Sequence, residues 1–193
     1  MKQLVLASGN AGKLKELSAL LAPLGIEVLP QSAFNVTEAE EPHPSFIENA
    51  IAKARHASRS TGLPALADDS GLCVDALGGA PGVISARFAG EPRSDARNNA
   101  LLLEKLAGQA DRRARFYCAL ALVRHADDPQ PLIACGEWHG QILAAPRGTA
   151  GFGYDPAFIP EGHELTTAEL DPDAKDAISH RGKAVRQMVA HLT

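Results

Sequence analysis

The opening segment constrains the fold more than any other feature. Leu4-Val5-Leu6-Ala7 is a short apolar run stopped by Ser8-Gly9-Asn10, the pattern of a buried strand. Leu14, Leu17, Leu20 and Leu21 then recur at helical spacing, and Pro23 and Gly25 end that helix. Ile26 to Leu29 reads as a second strand, so the chain begins with a β-α-β pattern.

The same alternation continues along the chain. Glu38-Ala39-Glu40-Glu41 is an acidic stretch closed by Pro42-His43-Pro44, which must be loop-like. Ser45-Phe46-Ile47-Glu48 fits a capping box, with Ser45 as N-cap and Glu48 reaching back. The helix it starts puts Phe46, Ala50, Ala54 and Ala57 on one face, carries Asn49, Lys53 and His56 along one flank, and ends by Gly62. Leu63 to Ala67 reads as a short strand ending in Asp68-Asp69-Ser70-Gly71. Gly78 to Gly82 is a loop, and a helix follows from about Ser94 to Leu106. Phe116 to Val123 and Leu132 to Trp138 flank Ala126-Asp127-Asp128-Pro129, an antiparallel hairpin signal. A glycine-rich stretch spans Gly148 to Pro156, and a last helix starts near Ser179 with Ala184, Val185, Met188, Val189 and Leu192 on one face. Helices alternating with strands, plus one hairpin, predict an α/β fold with a mixed sheet.

Composition narrows the class. A chain of 193 residues, 45% hydrophobic and 22% charged, fits one domain, residues 1–193, and argues against disorder or a staple-dependent scaffold. A net charge of −4 gives no basic footprint for nucleic acid or an anionic membrane, so a polyanionic ligand would need a few focused cations. Cys73, Cys118 and Cys135 form no C-x-x-C, which leaves buried thiols in a reducing compartment as the plain reading. No apolar run approaches a membrane span or a signal segment, so the expectation is a soluble, cytoplasmic protein.

Four segments carry chemistry. Ser8-Gly9-Asn10-Ala11-Gly12-Lys13 lies between a strand and a helix start, where glycines admit a ligand and free N–H groups favour an anion. It is not a Walker A loop, because only two residues separate Gly9 from Gly12-Lys13 and Leu14 follows. Asp68 and Asp69 end an apolar strand, so they point to opposite faces and at most one serves a given site. Such a carboxylate suits Mg²⁺, with Glu40 or Glu41 as a second ligand, while the plainer reading is an Asp-rich turn. Ser179-His180-Arg181-Gly182-Lys183 sets three potential cations in the first turn of a helix, where the macrodipole disfavours them; an electron-rich ligand would explain the placement, and solvated side chains are the alternative. Lys175 precedes them. Phe152-Gly153-Tyr154-Asp155-Pro156 offers aromatic faces for stacking on a nucleobase beside a carboxylate, or else packs Phe152 and Tyr154 into the core. The G-x-S-x-G, H-E-x-x-H and kinase signatures do not occur.

Together these segments resemble the inosine/xanthosine triphosphate pyrophosphatase family. The matching stretches are Ser8 to Lys13, Phe46-Ile47-Glu48-Asn49-Ala50 with Lys53-Ala54-Arg55, and Ala67-Asp68-Asp69-Ser70-Gly71-Leu72. They continue with Leu77 to Gly82, Ser85-Ala86-Arg87, Gly151 to Pro156 and Ser179-His180-Arg181-Gly182, in order over essentially the whole chain. The resemblance implies hydrolysis of ITP, dITP and XTP to the monophosphate and pyrophosphate, with Mg²⁺. It also implies an elongated mixed sheet with flanking helices, two lobes around a central nucleotide-binding cleft, and a homodimer.

By matching position, Ser8, Gly9, Asn10, Ala11, Gly12 and Lys13 would line the triphosphate, with Lys53 assisting. Asp69 would be the general base and a metal ligand, completed by Glu40 or Glu41. Ser70, Phe152, Gly153, Tyr154, Asp155, Lys175, His180 and Arg181 would hold the rest of the nucleotide. Two departures stand out: Pro42-His43-Pro44 where relatives often have a glycine, and Leu165 where a lysine is common. A binding protein without catalysis and a pyrophosphatase for modified pyrimidines are the alternatives on the same scaffold.

Overall fold

The structure, a computed structural model, describes residues 2–9 and 11–192, and the side chains of Ala11, Gly12, Glu16 and Leu20 lie outside the described part. The opening β-α-β unit forms as the sequence predicts. Strand β1 (Gln3–Leu6), helix α1 (Ala11–Leu21) and strand β2 (Glu27–Pro30) follow one another, and β1 pairs with β2 in parallel, Gln3 opposite Glu27 and Leu6 opposite Pro30. Beyond α1, Pro23 sits in a short 3₁₀ turn, and Gly25 closes it with φ of 67°, a left-handed value that a side chain resists.

Helix α2 (Phe46–Thr61) starts at Ser45, whose Oγ accepts from the Glu48 amide at 3.3 Å. The capping box closes differently from the expectation. The Ser45 hydroxyl itself donates to Glu48 Oε2 at 2.5 Å, so the two side chains bond each other. Gly62 ends the helix at φ 71°, returning its N–H to the Ser58 carbonyl.

Strand β3 (Ala65–Val74) departs most from the sequence reading. It does not stop at Asp68 but runs on through Asp68-Asp69-Ser70-Gly71, buried at nearly every position. The aspartates are tolerated in its interior because each has a lysine partner. Val5 and Leu6 of β1 pair in parallel with Ala65 and Leu66 of β3, which leaves β1 between two neighbours and explains its unbroken apolar run.

Helix α3 (Asp95–Lys105) is capped by Ser94. Strands β4 (Arg113–Val123) and β5 (Leu132–Ile142) are both longer than expected. Strand β6 (Phe158–Pro160), antiparallel to β5, and helix α4 (Pro172–Ile178) were not predicted, and helix α5 (His180–Leu192) follows. The six strands run in the order β2-β1-β3-β4-β5-β6, giving an α/β fold with a mixed sheet. Among the described residues no helix is long and apolar enough to cross a membrane.

The chain forms two compact units. The first takes residues 1–69, 118–135 and 184–193, and its core packs Leu4, Leu6, Leu17, Leu66, Leu120 and Met188. The second takes residues 70–117 and 136–183, with a core around Leu72, Leu102, Phe116, Trp138, Tyr154 and Phe158. The boundary on β3 falls between Asp69 and Ser70.

The β4–β5 turn is held by one carboxylate. Asp128 accepts from the Arg124 amide at 2.9 Å, from Arg124 Nη2 at 2.6 Å and from the Gln130 amide at 2.9 Å. Bonding to Arg124 holds its carboxyl well below the usual carboxylate range. A group depressed in this way contributes stability above its unfolded pKa of about 4, and loses it as pH falls further. Asp128→Asn is therefore expected to melt several degrees below the wild type at neutral pH, with the gap narrowing in thermal scans below about pH 4.

Candidate active site

In the first unit, strand alternation sends Asp68 and Asp69 to opposite faces of β3, and each meets a lysine from a different helix. Lys13 of α1 pairs with Asp68 Oδ1, while the Cys118 thiol of β4 donates to Asp68 Oδ2 at 3.2 Å. Lys53 of α2 bridges Asp69 Oδ1 at 2.9 Å and Glu41 Oε1 at 2.7 Å. Lys53 thus joins two carboxylates of the cluster, and Lys13 meets the third.

Burial and neighbouring charge together set the titration of the Lys53–Asp69 pair. Burial pushes the Asp69 carboxyl above its ordinary value, and Glu41 and Asp68 add to the rise against the opposing Lys53 charge. Burial pulls the Lys53 ammonium down, yet Asp69 and Glu41 outweigh it and its pKa lies above the ordinary value.

The acidic segment is strapped to α2 by the flank that carries Asn49, Lys53 and His56. Asn49, fully buried, accepts from the His43 amide at 3.0 Å and donates to the His43 carbonyl at 3.1 Å, as a neighbouring strand would. His56 Nε2 lies 2.9 Å from the Thr37 carbonyl, and Lys53 takes Glu41 between them. Pro42-His43-Pro44 is thus anchored through the backbone of its central residue. Glu41 is the member of the acidic pair that meets Lys53, whereas Glu40 stands exposed.

The glycine loop ahead of α1 runs close to the acidic segment. Ser8 is half-buried and Gly9 exposed, and a Cβ on Gly9 would stand 3.2 Å from Glu38 Oε1. Asn10 lies outside the described residues. Ala11 and Gly12 form the first turn of α1, which carries no acidic residue, and the helix dipole there favours an anion.

One atom bears on whether these donors fit Mg²⁺. Asp69 Oδ2 is buried and, among the described residues, receives no hydrogen bond. An orphaned carboxylate oxygen of this kind calls for a cation or a donor from outside. Mg²⁺ takes hard oxygen ligands, often only one or two carboxylates with phosphates and water completing the shell. Asp69 and Glu41 fit that partial set. Among the described residues no cluster of three or more His, Cys, Asp or Glu forms a self-contained cage.

The second unit gathers Phe152 to Asp155, Lys175, His180, Arg181 and Ser70. The structure divides the aromatic pair. Tyr154 is only 4% exposed and gives its hydroxyl to the Ser85 carbonyl at 2.8 Å, so the open face expected of it does not exist. Phe152 is 58% exposed, with the Lys175 ammonium 5.3 Å from its ring centroid. Asp155 is committed internally: it accepts from Lys175 at 2.5 Å, the Phe152 amide at 2.9 Å and Thr167 Oγ1 at 2.9 Å. Its carboxylate holds the loop and Lys175 in place and is not left open for an incoming base.

Helix α5 begins at His180, as the sequence predicts, and Ser179 Oγ caps it by accepting from the Gly182 amide at 3.0 Å. The His180 ring stacks on Phe116, with centroids 5.0 Å apart and planes 15° from parallel. Arg181 is buried and places Nη2 3.4 Å from Ser70 Oγ. Lys183 separates from this group, its ammonium donating to the Glu137 carbonyl at 2.8 Å.

Sequence reasoning missed Asp95, Asn99, Ser85 and Thr167, which bond the Phe152–Asp155 loop. For Asp95 and Asn99 the sequence signal was the Ser94 cap that starts α3, and for Ser85 it was the Ser85-Ala86-Arg87 stretch, which carried no assigned role. The close packing of the loop gives a direct test. A Cβ on Gly151 would stand 2.1 Å from Asp155 Oδ2, and φ there is +78°. Gly151→Ala is expected to split the Asp155–Lys175 pair and cost about 1–3 kcal/mol in chemical denaturation, whereas Ala substitution at exposed Ala150's neighbour Thr149 should be near neutral.

With this geometry in hand, comparison with known proteins is specific. The model of the Ham1 family matches residues 4–191. The dITP/XTP pyrophosphatase of Aromatoleum aromaticum is 70% identical over 191 residues, 99% of this chain and 96% of that protein. That of Chromobacterium violaceum is 65% identical over 190 residues, 98% of this chain and 96% of its own. A solved HAM1 protein from Coxiella burnetii superposes with a TM-score of 0.96 at 52% identity, covering 100% of this chain and 98% of that one. The Staphylococcus aureus Ham1 protein does so with a TM-score of 0.91 at 38% identity, covering 99% and 98%. A full-length family match, close relatives and the shared fold agree, and the chain belongs to the Ham1 family.

Proposed function

We propose that this protein is a Mg²⁺-dependent pyrophosphatase that hydrolyses ITP, dITP and XTP to the nucleoside monophosphate and pyrophosphate. Relatives at 70% and 65% identity carry the name dITP/XTP pyrophosphatase, which supports the reaction class. The observation that carries the chemistry is Asp69, buried, bonded to Lys53 through one oxygen and with the other oxygen unsatisfied among the described residues.

Cleavage of the α–β phosphoanhydride needs a water stripped of a proton as it attacks the α-phosphorus, and neutralisation of the charge passing to pyrophosphate. Asp69 is the base. Its raised pKa makes it a stronger proton acceptor than a solvated carboxylate, and Lys53 fixes its orientation. Lys13 and the first turn of α1, with Ser8 to Gly12, hold the triphosphate, and Lys53 adds a second cation. Asp69 and Glu41 would hold Mg²⁺, whose charge offsets that of the phosphates and polarises the bond to be broken. The two carboxylates gathered at Lys53 support that requirement, since a triphosphate alone would add further negative charge beside them.

In the second unit, the exposed ring of Phe152 stacks on the base while Lys175, His180 and Arg181 present donors. Hypoxanthine and xanthine carry a 6-oxo acceptor for those donors. Adenine carries an amino group there and leaves them unpaired, a mismatch that rejects it strongly.

Asp69→Asn is expected to lower ITP turnover on the order of 10²–10⁴-fold while melting within a few degrees of the wild type, measured by pyrophosphate release. A variant with undiminished turnover removes Asp69 as the base. Run with and without Mg²⁺ on ITP, XTP, GTP, ATP and a modified UTP, the same assay should favour ITP and XTP and fall to background without the metal.

A further inference from the structure

Among the described residues Phe152 is the most exposed of the large apolar side chains, and it lies in a loop with a glycine on either side. An exposed ring on such a loop would ordinarily fold back or sample many positions. Here the backbone beside it is gripped from both sides by one turn of α3. Asp95 Oδ2 accepts from the Gly153 amide at 2.6 Å, and Asn99 Nδ2 donates to the Gly153 carbonyl at 2.7 Å. The second amide hydrogen of Asn99 goes to the Asp95 carbonyl at 2.9 Å, which ties the two grips together.

The grip is built on a fixed base. Ser94 caps α3, and the next side chain, Asn98, is 2% exposed and binds the backbone of the preceding segment. Asn98 donates to the Ala86 carbonyl at 3.0 Å and accepts from the Ala89 amide at 2.8 Å. Tyr154 anchors the far side of the same loop on the Ser85 carbonyl at 2.8 Å. Gly153 itself has φ of 59°, so the grip holds a left-handed turn that its own side chain could not stabilise.

We propose that Asp95 and Asn99 are positioning residues that hold the two peptide groups flanking Gly153 so that the Phe152 ring is presented, already ordered, to the purine. The inference rests on the nucleotide reading of the site and adds to it the residues that set base affinity. Neither side chain needs to touch the substrate. Their effect is to spare binding the cost of ordering the loop, so it belongs to affinity for the base and not to the chemical step.

The test separates the base from the phosphates. ITP kinetics give KM and kcat, and calorimetry gives the affinities for IMP and for inorganic pyrophosphate. Asp95→Ala and Asn99→Ala are expected to raise the ITP KM and the IMP Kd about tenfold, with kcat within about twofold and pyrophosphate affinity unchanged. Asp95→Asn keeps an acceptor for the Gly153 amide and should recover most of the loss. Asp95 is exposed, so its variants carry the test if Asn99→Ala fails to fold. Folded variants with unchanged KM and IMP affinity overturn the clamp. So does a parallel fall in kcat, pyrophosphate affinity and melting temperature, the sign of a merely structural role. A wild-type protein that neither hydrolyses ITP nor binds IMP overturns the nucleotide reading, and with it the ligand the clamp is said to serve.

Discussion

Asp68 and Asp69 are 1% and 6% exposed, and carboxylates so far from water persist as ions only where cations are brought to them. Much of the first unit follows from that demand. Helix α1 supplies Lys13 to one face of β3, and α2 supplies Lys53 to the other. The acidic segment is then drawn onto α2, because Lys53 bonds Glu41 as well and Asn49 and His56 hold the backbone on either side. Removing either lysine would strand a buried charge, which costs more than the pair itself gains. The cluster is therefore a poor way to stabilise a strand and a good way to keep a carboxylate desolvated and fixed in direction, as the proposed role of Asp69 requires.

The second unit uses the same device at a different place. Asp155 is 4% exposed and is satisfied by Lys175, Thr167 and the Phe152 amide. One buried carboxylate thus fixes both a cation and the loop that carries the exposed ring. The ammonium remains within reach of the Phe152 face, so cation and aromatic surface form one preorganised pair. Gly151 belongs to this arrangement through its absence of a side chain, since the space a Cβ would need is taken by Asp155 Oδ2.

Local patterns in the sequence made the fold largely legible. The β-α-β opening, the Ser45 and Ser94 caps, the Gly62 stop and the helix start at Ser179 all depend on neighbours within a turn of the chain. The end of β3 was misread because Asp-Asp-Ser-Gly is a turn signal until a lysine 55 residues away in sequence pairs with Asp68, a contact that no local pattern encodes. Strand β6 escaped notice because three residues carry no periodicity. For the site, the sequence named Lys53, Asp69 and either Glu40 or Glu41, and in the first unit the structure brings Lys53, Asp69 and Glu41 together; it also named Lys175 and Phe152, which meet in the second unit. It could not separate Phe152 from Tyr154, because burial of one and exposure of the other is decided by Ser85 and the second core.

The acidic total charge takes its meaning from where the charges sit. A net charge of −4 would repel a triphosphate approaching a uniform surface. The cations that matter are instead held at fixed points, Lys13 and Lys53 in one unit and Lys175 and Arg181 in the other. Lys13, Lys53 and Lys175 are bonded to carboxylates, so the field they present is weaker than their number implies. A ligand carrying phosphates alone must compete with those carboxylates for each ammonium. One that arrives with a divalent cation gives the carboxylates a partner as it takes the lysines for itself. An exchange of that kind keeps every buried charge paired at each stage, which an anion entering unaccompanied cannot do.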